Sequence, residues 1–179
     1  MTPKKANTRA EYPGEHLVAL DRFILATRDS GYKGTGSAVA ELVDNAIQAG
    51  ATRIDVFVLQ ADGDSNSLVL EVSDNGCGMA PATLMQALRF GGSSRFNDRT
   101  GLGRYGMGLP NSSFSQARRL EVVTWRSQRD AWSAALDLDE IAAGKIIYVP
   151  GPSRCRLPKI AKDKAKHRRK QHVLIRMRV

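Results

Sequence analysis

Between residues 37 and 49 the apolar side chains Ala38, Val39, Leu42, Val43, Ala46 and Ile47 fall at i, i+1, i+4, i+5, i+8 and i+9. That spacing makes one buried stripe on an α-helix. Glu41, Asp44, Asn45 and Gln48 fall on the other side at i, i+3, i+4 and i+7, so Glu41 and Asn45 stand one turn apart. Ser37 is the expected N-cap, and Gly50 suits the position just past the helix end. Upstream, His16 to Thr27 brings Leu17, Leu20, Phe23, Ile24 and Thr27 near one stripe, a short helix stopping before Asp29-Ser30-Gly31. A glycine-rich link, Gly31 to Gly36, joins the two helices.

The period then changes. Arg53 to Leu59 and Leu68 to Ser73 alternate apolar and polar residues around Asp62-Gly63-Asp64-Ser65-Asn66, a hairpin signature closed by Asp74. Pro81 opens a helix that runs to about Phe90, where Gly91-Gly92 breaks it. Gly91 to Gly108 is a long glycine-rich loop, of the kind that functional or mobile segments use. Leu109 to Ala117 reads as helix, and Leu120 to Arg126 and Ala131 to Leu138 read as strands broken at Gln128-Arg129-Asp130. Asp139 to Ala143 reads as a helical turn and Lys145 to Val149 as a last strand, before Pro150, Gly151 and Pro152. No internal repeat is present.

A chain of 179 residues suits one domain, burying about 70% of its unfolded surface. No apolar run approaches the ~18 residues that span a bilayer. The N-terminal arm lacks the apolar stretch of a secretory signal, so a cytoplasmic location and no membrane contact are expected. Cys77 and Cys155 are too distant for a metal-ligand spacing and are expected as free thiols. Of the 27 basic and 18 acidic residues, eleven and one lie in Arg154–Val179, which leaves 16 and 17 for the rest. The globular part is therefore near neutral, and the basic C-terminal segment is either a solvated tail or a nucleic-acid contact. The chain divides into an arm at 1–15, one domain at 16–150 and this basic segment at 151–179.

Three stretches carry candidate chemistry. The first is the polar helix face with Glu41 and Asn45. In the second, Asp74-Asn75-Gly76-Cys77-Gly78-Met79, the carboxylate at a strand end can accept from an exocyclic amine, while glycines let a flat ligand approach the backbone. The third, Gly101-Leu102-Gly103-Arg104-Tyr105-Gly106-Met107-Gly108-Leu109-Pro110, leads into a helix, where free N–H groups and the helix dipole favour an anion. Gly101, Gly103 and Gly106 also match a dinucleotide fingerprint, but no strand precedes them and no βαβ unit surrounds them. Gly31 to Ser37 fails as a P-loop because Ser37 stands where the phosphate-binding lysine belongs.

Taken in order, Glu41-Leu42-Val43-Asp44-Asn45-Ala46, Asp74-x-Gly76-x-Gly78 and the Gly103–Gly108 loop resemble the gyrase, chaperone, histidine-kinase and MutL superfamily. The resemblance covers roughly Phe23 to Trp132, and Phe90-Gly91-Gly92-Ser93-Ser94 looks most like the microrchidia (MORC) and chaperone branches. It implies an α+β Bergerat fold, a two-layer sandwich with helices on one face of a mixed sheet and ATP beneath a mobile lid. By the same resemblance Asp74 accepts the adenine amino group, with Gly76, Gly78 and Met79 shaping the base pocket. Asn45 ligates Mg²⁺, Glu41 activates water, and Gly103, Arg104, Tyr105, Gly106, Met107, Gly108 and Leu109 form the phosphate lid.

Glutamate at position 41, where the superfamily's histidine kinases have asparagine, favours transfer to water. His16, His167 and His172 lack the helical context of a phosphoacceptor. The resemblance further implies an ATP-dependent homodimer and a Lys or Arg reaching the γ-phosphate from a second domain. The superfamily's closing Gly-Thr and strand are matched only by Gln171-His172 before a strand-like Val173 to Val179. With the basic run Lys159 to Lys170, this suggests a truncated end, a divergent one, or an altered reading of a longer gene. Two readings follow: a Mg²⁺-dependent ATPase switch domain, or a nucleotide-binding module with little or no turnover.

Overall fold

The computed structural model describes residues 19–61, 64–91, 108–127, 129–157 and 172–178. Its helices are α1 (Leu20–Ser30), α2 (Thr35–Gln48), α3 (Pro81–Ala87), α4 (Gly108–Gln116) and α5 (Leu138–Ala142). Its strands are β1 (Ile54–Ala61), β2 (Asp64–Asp74), β3 (Arg119–Ser127), β4 (Asp130–Asp137), β5 (Ser153–Arg154) and β6 (His172–Arg178), arranged in one sheet as β1-β2-β6-β3-β4-β5.

The helices form where the apolar spacing places them, but their ends differ in detail. Ser37 is not the cap of α2. Gly34 takes that position in extended backbone, and the Ser37 hydroxyl donates to the Gly34 carbonyl at 2.8 Å from within the first turn. At the other end Gly50 adopts φ +73°, which favours glycine, while Gly50 N and Ala51 N donate back to Ile47 O and Ala46 O. These two bonds satisfy carbonyls the helix end would leave open. The apolar stripe is buried at Ala38, Leu42 and Ala46, whereas Ile47 remains 57% exposed.

One core joins all five helices to a single sheet face. Ile24 of α1, Leu42 of α2, Leu84 of α3, Phe114 of α4 and Ile141 of α5 meet Leu70, Val72, Leu120, Val122, Ala134, Leu136, Ile175 and Met177. Phe90, at the exit of α3, stacks on Phe114 at 6.1 Å and meets Phe23 edge-on at 6.3 Å. Its contacts tie α3 to α1 and α4. On the opposite face a smaller cluster of Val123, Trp125, Ala131 and Leu174 is partly covered by Cys155 and Leu157.

Every described strand pairing is antiparallel, a correction to the mixed sheet that was expected. The reason lies in β6. β2 and β3 run in the same direction, but β6 enters between them and pairs antiparallel with each.

The core also continues past residue 150. β6 buries Val173, Leu174, Ile175 and Met177, and at about 1.5–3 kcal/mol per buried side chain this rivals the ~5–15 kcal/mol net stability of a domain. Lys145 to Val149, expected as the last strand, is irregular. Lys145 N and Ile146 N bond back to Glu140 O at the end of α5, so the segment leaves a helix and joins no ladder.

Position 176 places an arginine in the middle of this sheet, on the face away from the helices. Arg176 Nε meets Glu71 Oε1 at 2.6 Å and its NH1 meets Glu121 Oε2 at 3.2 Å, from the register neighbours on both sides. Glu71 is only 1% exposed. Arg176→Leu strands that carboxylate, and with the arginine side chain 37% exposed the expected loss is about 3 kcal/mol, the low end for breaking a buried pair. A Glu71→Leu/Arg176→Leu double variant is expected to recover most of that loss in urea unfolding. Equal losses in the single and double variants would disprove the pair as the source.

Candidate nucleotide site

The expected site residues that the structure describes lie on α2, at the exit of β2 and at the start of α4. Asp74, the last residue of β2, is 7% exposed, and its Oδ1 accepts from Gly76 N at 2.8 Å. This closes a tight turn in which the intervening Asn75 is also buried. Asn75 Oδ1 accepts from both Thr52 N and Arg53 N at 2.8 Å, and Nδ2 donates to Thr52 Oγ1 at 2.9 Å. Cys77 N then donates to Ala49 O at 2.9 Å. The turn is thereby fastened to the end of α2, the helix that carries Asn45 and Glu41.

Gly76 is required by closeness. A Cβ there would stand 2.9 Å from Ala49 O, Ala49 Cβ and Asp74 Oδ1. Gly78 sits at φ +64°, a backbone state most residues avoid. Met79 packs partly buried against the core, and its N–H donates to Thr124 Oγ1 at 2.8 Å. Thr124 is fully buried on β3, beside Val173 of β6. The far side of the turn is therefore held by the sheet.

On α2 the polar face is partly covered, with Gln48 exposed. Glu41, Asp44 and Asn45 are each half-buried. Among the described residues Asn45 Nδ2 is buried without a hydrogen-bond partner, an unusual state for an amide and one that a ligand would relieve. Glu41 lies against the first residue of α4: a Cβ on Gly108 would overlap Glu41 Oε1 and sit 2.9 Å from its carboxylate carbon. A carboxylate at the start of a helix is in favourable contact with its positive end.

Gly108 and Leu109 open α4. Gly103, Arg104, Tyr105, Gly106 and Met107 lie outside the described residues. The structure thus brings Glu41 to Gly108, Asp74 to Gly76, and the Asp74 turn to the end of α2. Cys77 and Cys155 are free thiols, as expected. Among the described residues no helix is long and apolar enough to cross a membrane.

The family described as "Histidine kinase-, DNA gyrase B-, and HSP90-like ATPase" matches residues 32–167. The chain belongs to that family. It is 34% identical to ATPase morc-1 of Caenorhabditis elegans over 148 residues, which are 80% of this chain and 17% of that protein. It is 39% identical to the DNA mismatch repair protein MutL of Paramagnetospirillum magneticum over 127 residues, 68% of this chain and 20% of MutL. With mouse ATPase MORC2B the identity is 42% over 77 residues, 42% of this chain and 8% of that protein. The chain spans a fifth or less of the length of these relatives.

Three residues of the site were not singled out by sequence reasoning. Asn75 had a signal in its place between Asp74 and Gly76, where a side-chain amide can hold a turn. Thr124 had one as a lone hydroxyl in the apolar run Val122–Trp125. Tyr32, the aromatic of a glycine-rich link, donates its hydroxyl to Glu41 Oε2 at 3.0 Å. Burial first, and then the Glu41 hydrogen bond and charge, push the Tyr32 hydroxyl up to about 12, so it stays a neutral donor at physiological pH.

The two close-packed glycines differ in what they touch. Gly108→Ala needs only the end of the Glu41 side chain to swing aside, and the alanine favours the helix, so unfolding free energy is expected to stay within about 1 kcal/mol of the parent. Gly76→Ala must move the Ala49 backbone and is expected to cost about 1–3 kcal/mol. Urea denaturation of both variants distinguishes them, and equal losses would contradict this account of the turn.

Proposed function

We propose that this domain binds ATP with Mg²⁺ and hydrolyses it to ADP and phosphate. The observation that carries the reading is the approach of Glu41 to Gly108. It sets a carboxylate against the start of the helix that follows the glycine-rich loop, where phosphate oxygens find free N–H groups. Asp74 accepts the adenine amino group beside Gly76, Gly78 and Met79. Asn45, one turn along α2 from Glu41, offers its amide oxygen to the ion.

The donor set suits Mg²⁺, which is held by few protein oxygens together with substrate phosphates. The partnerless Asn45 nitrogen indicates an amide whose final orientation awaits a ligand. When bound, the ion neutralises charge on the phosphates. Glu41 orients the attacking water and accepts its proton, while Gly103, Arg104, Tyr105, Gly106, Met107, Gly108 and Leu109 close over the phosphates. Lid closure with dimerisation would bring in the cation that completes the γ-phosphate site.

The module with little turnover rested partly on a missing final strand. β6 supplies a strand in that place, while Gln171-His172 still stands where the superfamily has Gly-Thr. The basic run Lys159 to Lys170, whose charge carries the nucleic-acid reading, lies outside the described residues. Among the described residues of the basic C-terminal segment, Arg176 is engaged by Glu71 and Glu121, and Arg154 lies over the Trp132 ring at 4.6 Å.

Calorimetry with Mg²⁺ and ATP, together with phosphate release, tests the assignment. Asp74→Asn is expected to weaken ATP binding about 10- to 100-fold, the value of a hydrogen bond to a charged group. Glu41→Ala is expected to bind ATP normally and to lose about 10²- to 10⁴-fold in turnover. Retained affinity in Asp74→Asn would remove the adenine assignment, and an unaltered rate in Glu41→Ala would leave the binding module as the better reading.

A further inference from the structure

Glu41 has two carboxylate oxygens in different surroundings. Oε1 faces Gly108 at the start of α4, and Oε2 accepts from the Tyr32 hydroxyl at 3.0 Å. Tyr32 is itself held. Gln116, the last residue of α4, donates Nε2 to the Tyr32 carbonyl at 3.3 Å and accepts from Thr35 Oγ1 at 2.7 Å. One helix therefore touches Glu41 at its first residue and secures the link that carries Tyr32 at its last.

A glutamate side chain has three freely turning bonds, and an unrestrained carboxylate spends little time in any one orientation. General-base action requires one oxygen within hydrogen-bond reach of the water. We propose that Tyr32 is the positioning residue for Glu41, its hydroxyl fixing Oε2 so that Oε1 faces the phosphate end of the site. The inference rests on the ATPase reading above. Tyr32 takes no proton in this role; it remains a neutral donor, and its effect reaches the water only through Glu41.

Removing a hydrogen bond to a carboxylate also raises its basicity, which acts in the opposite direction. Misplacement is the larger effect, since about 1 Å of displacement at a reacting group can cost 10²-fold in rate.

The test uses the full chain with Mg²⁺ and ATP and measures kcat, KM and ATP affinity for wild type, Tyr32→Phe, Gln116→Leu and Glu41→Gln. Tyr32→Phe is expected to lower kcat about 10-fold or more, with KM and affinity within about twofold. Gln116→Leu, which frees the Tyr32 segment, should show the same kcat-only pattern at smaller size. An unchanged or raised kcat in Tyr32→Phe overturns the proposal, and so does a loss of ATP affinity or of folding, because a merely structural tyrosine would act that way. If Glu41→Gln stops turnover while Tyr32→Phe does not, only the positioning role fails. Full turnover in Glu41→Gln, or no phosphate release by wild type, overturns the ATPase reading and this inference together.

Discussion

The site depends on the fastening between the exit of β2 and the end of α2. Both elements form for local reasons, one from alternation and the other from a helical stripe, and neither reason fixes their mutual position. Asn75 does so with one side chain: its oxygen takes two backbone donors from the 52–53 segment and its nitrogen reaches Thr52. A buried amide with all these bonds made is held in one geometry, because losing any of them would strand a polar group away from water. The Cys77 to Ala49 bond and the absence of room for a Cβ at Gly76 add to the same constraint. Asp74 on the sheet and Asn45 on the helix thereby become parts of one rigid corner.

That corner explains how one layer of helices can serve a polar ligand without losing its core. Leu42 of α2 joins the apolar cluster and Ala46 is buried, and the half-buried Glu41 and Asn45 line the other side of the same turns. α4 packs beside α2 and buries Phe114 while its first residue approaches Glu41. Ordinary hydrophobic packing thus sets the separation between the two helices, and the polar groups inherit it. The close contact at Gly108 is where the helix spacing becomes a chemical feature.

Much of this was legible in the sequence because it is periodic. The stripe of α2, the hairpin of β1 and β2, and the three motifs in order gave the helical and strand elements, the α+β class and the pairing of Glu41 with Asn45. Ser37 was misassigned because a serine in a first turn can bond back to a carbonyl as easily as it can cap. Ile47 fitted the stripe but lies beyond the reach of the sheet. Tyr32, Asn75 and Thr124 were not legible because each acts through a partner distant in sequence, Glu41, Thr52 and Met79 respectively. No period marks a contact of that kind.

The last strand was set outside the domain for a different reason. Val173 to Val179 reads as strand-like, but the lysine- and arginine-rich stretch before it set it outside the expected domain, and Arg176 interrupts the apolar run from Val173 to Met177. In the sheet the interruption disappears. Alternation sends Val173, Ile175 and Met177 to the core face and Arg176 to the other, where Glu71 and Glu121 bracket it across two ladders. Two acids on neighbouring strands make a position that an arginine fits and an apolar residue does not, so this charge also selects the register of β6. A one-residue slip would carry the arginine into the apolar cluster and Val173 away from Asp74. Because Val173 pairs with Asp74 and with Thr124, the arginine three residues along fixes the sheet beside the candidate site. The corner that Asn75 builds between helix and strand is thus completed on its sheet side by the segment most distant from it in sequence.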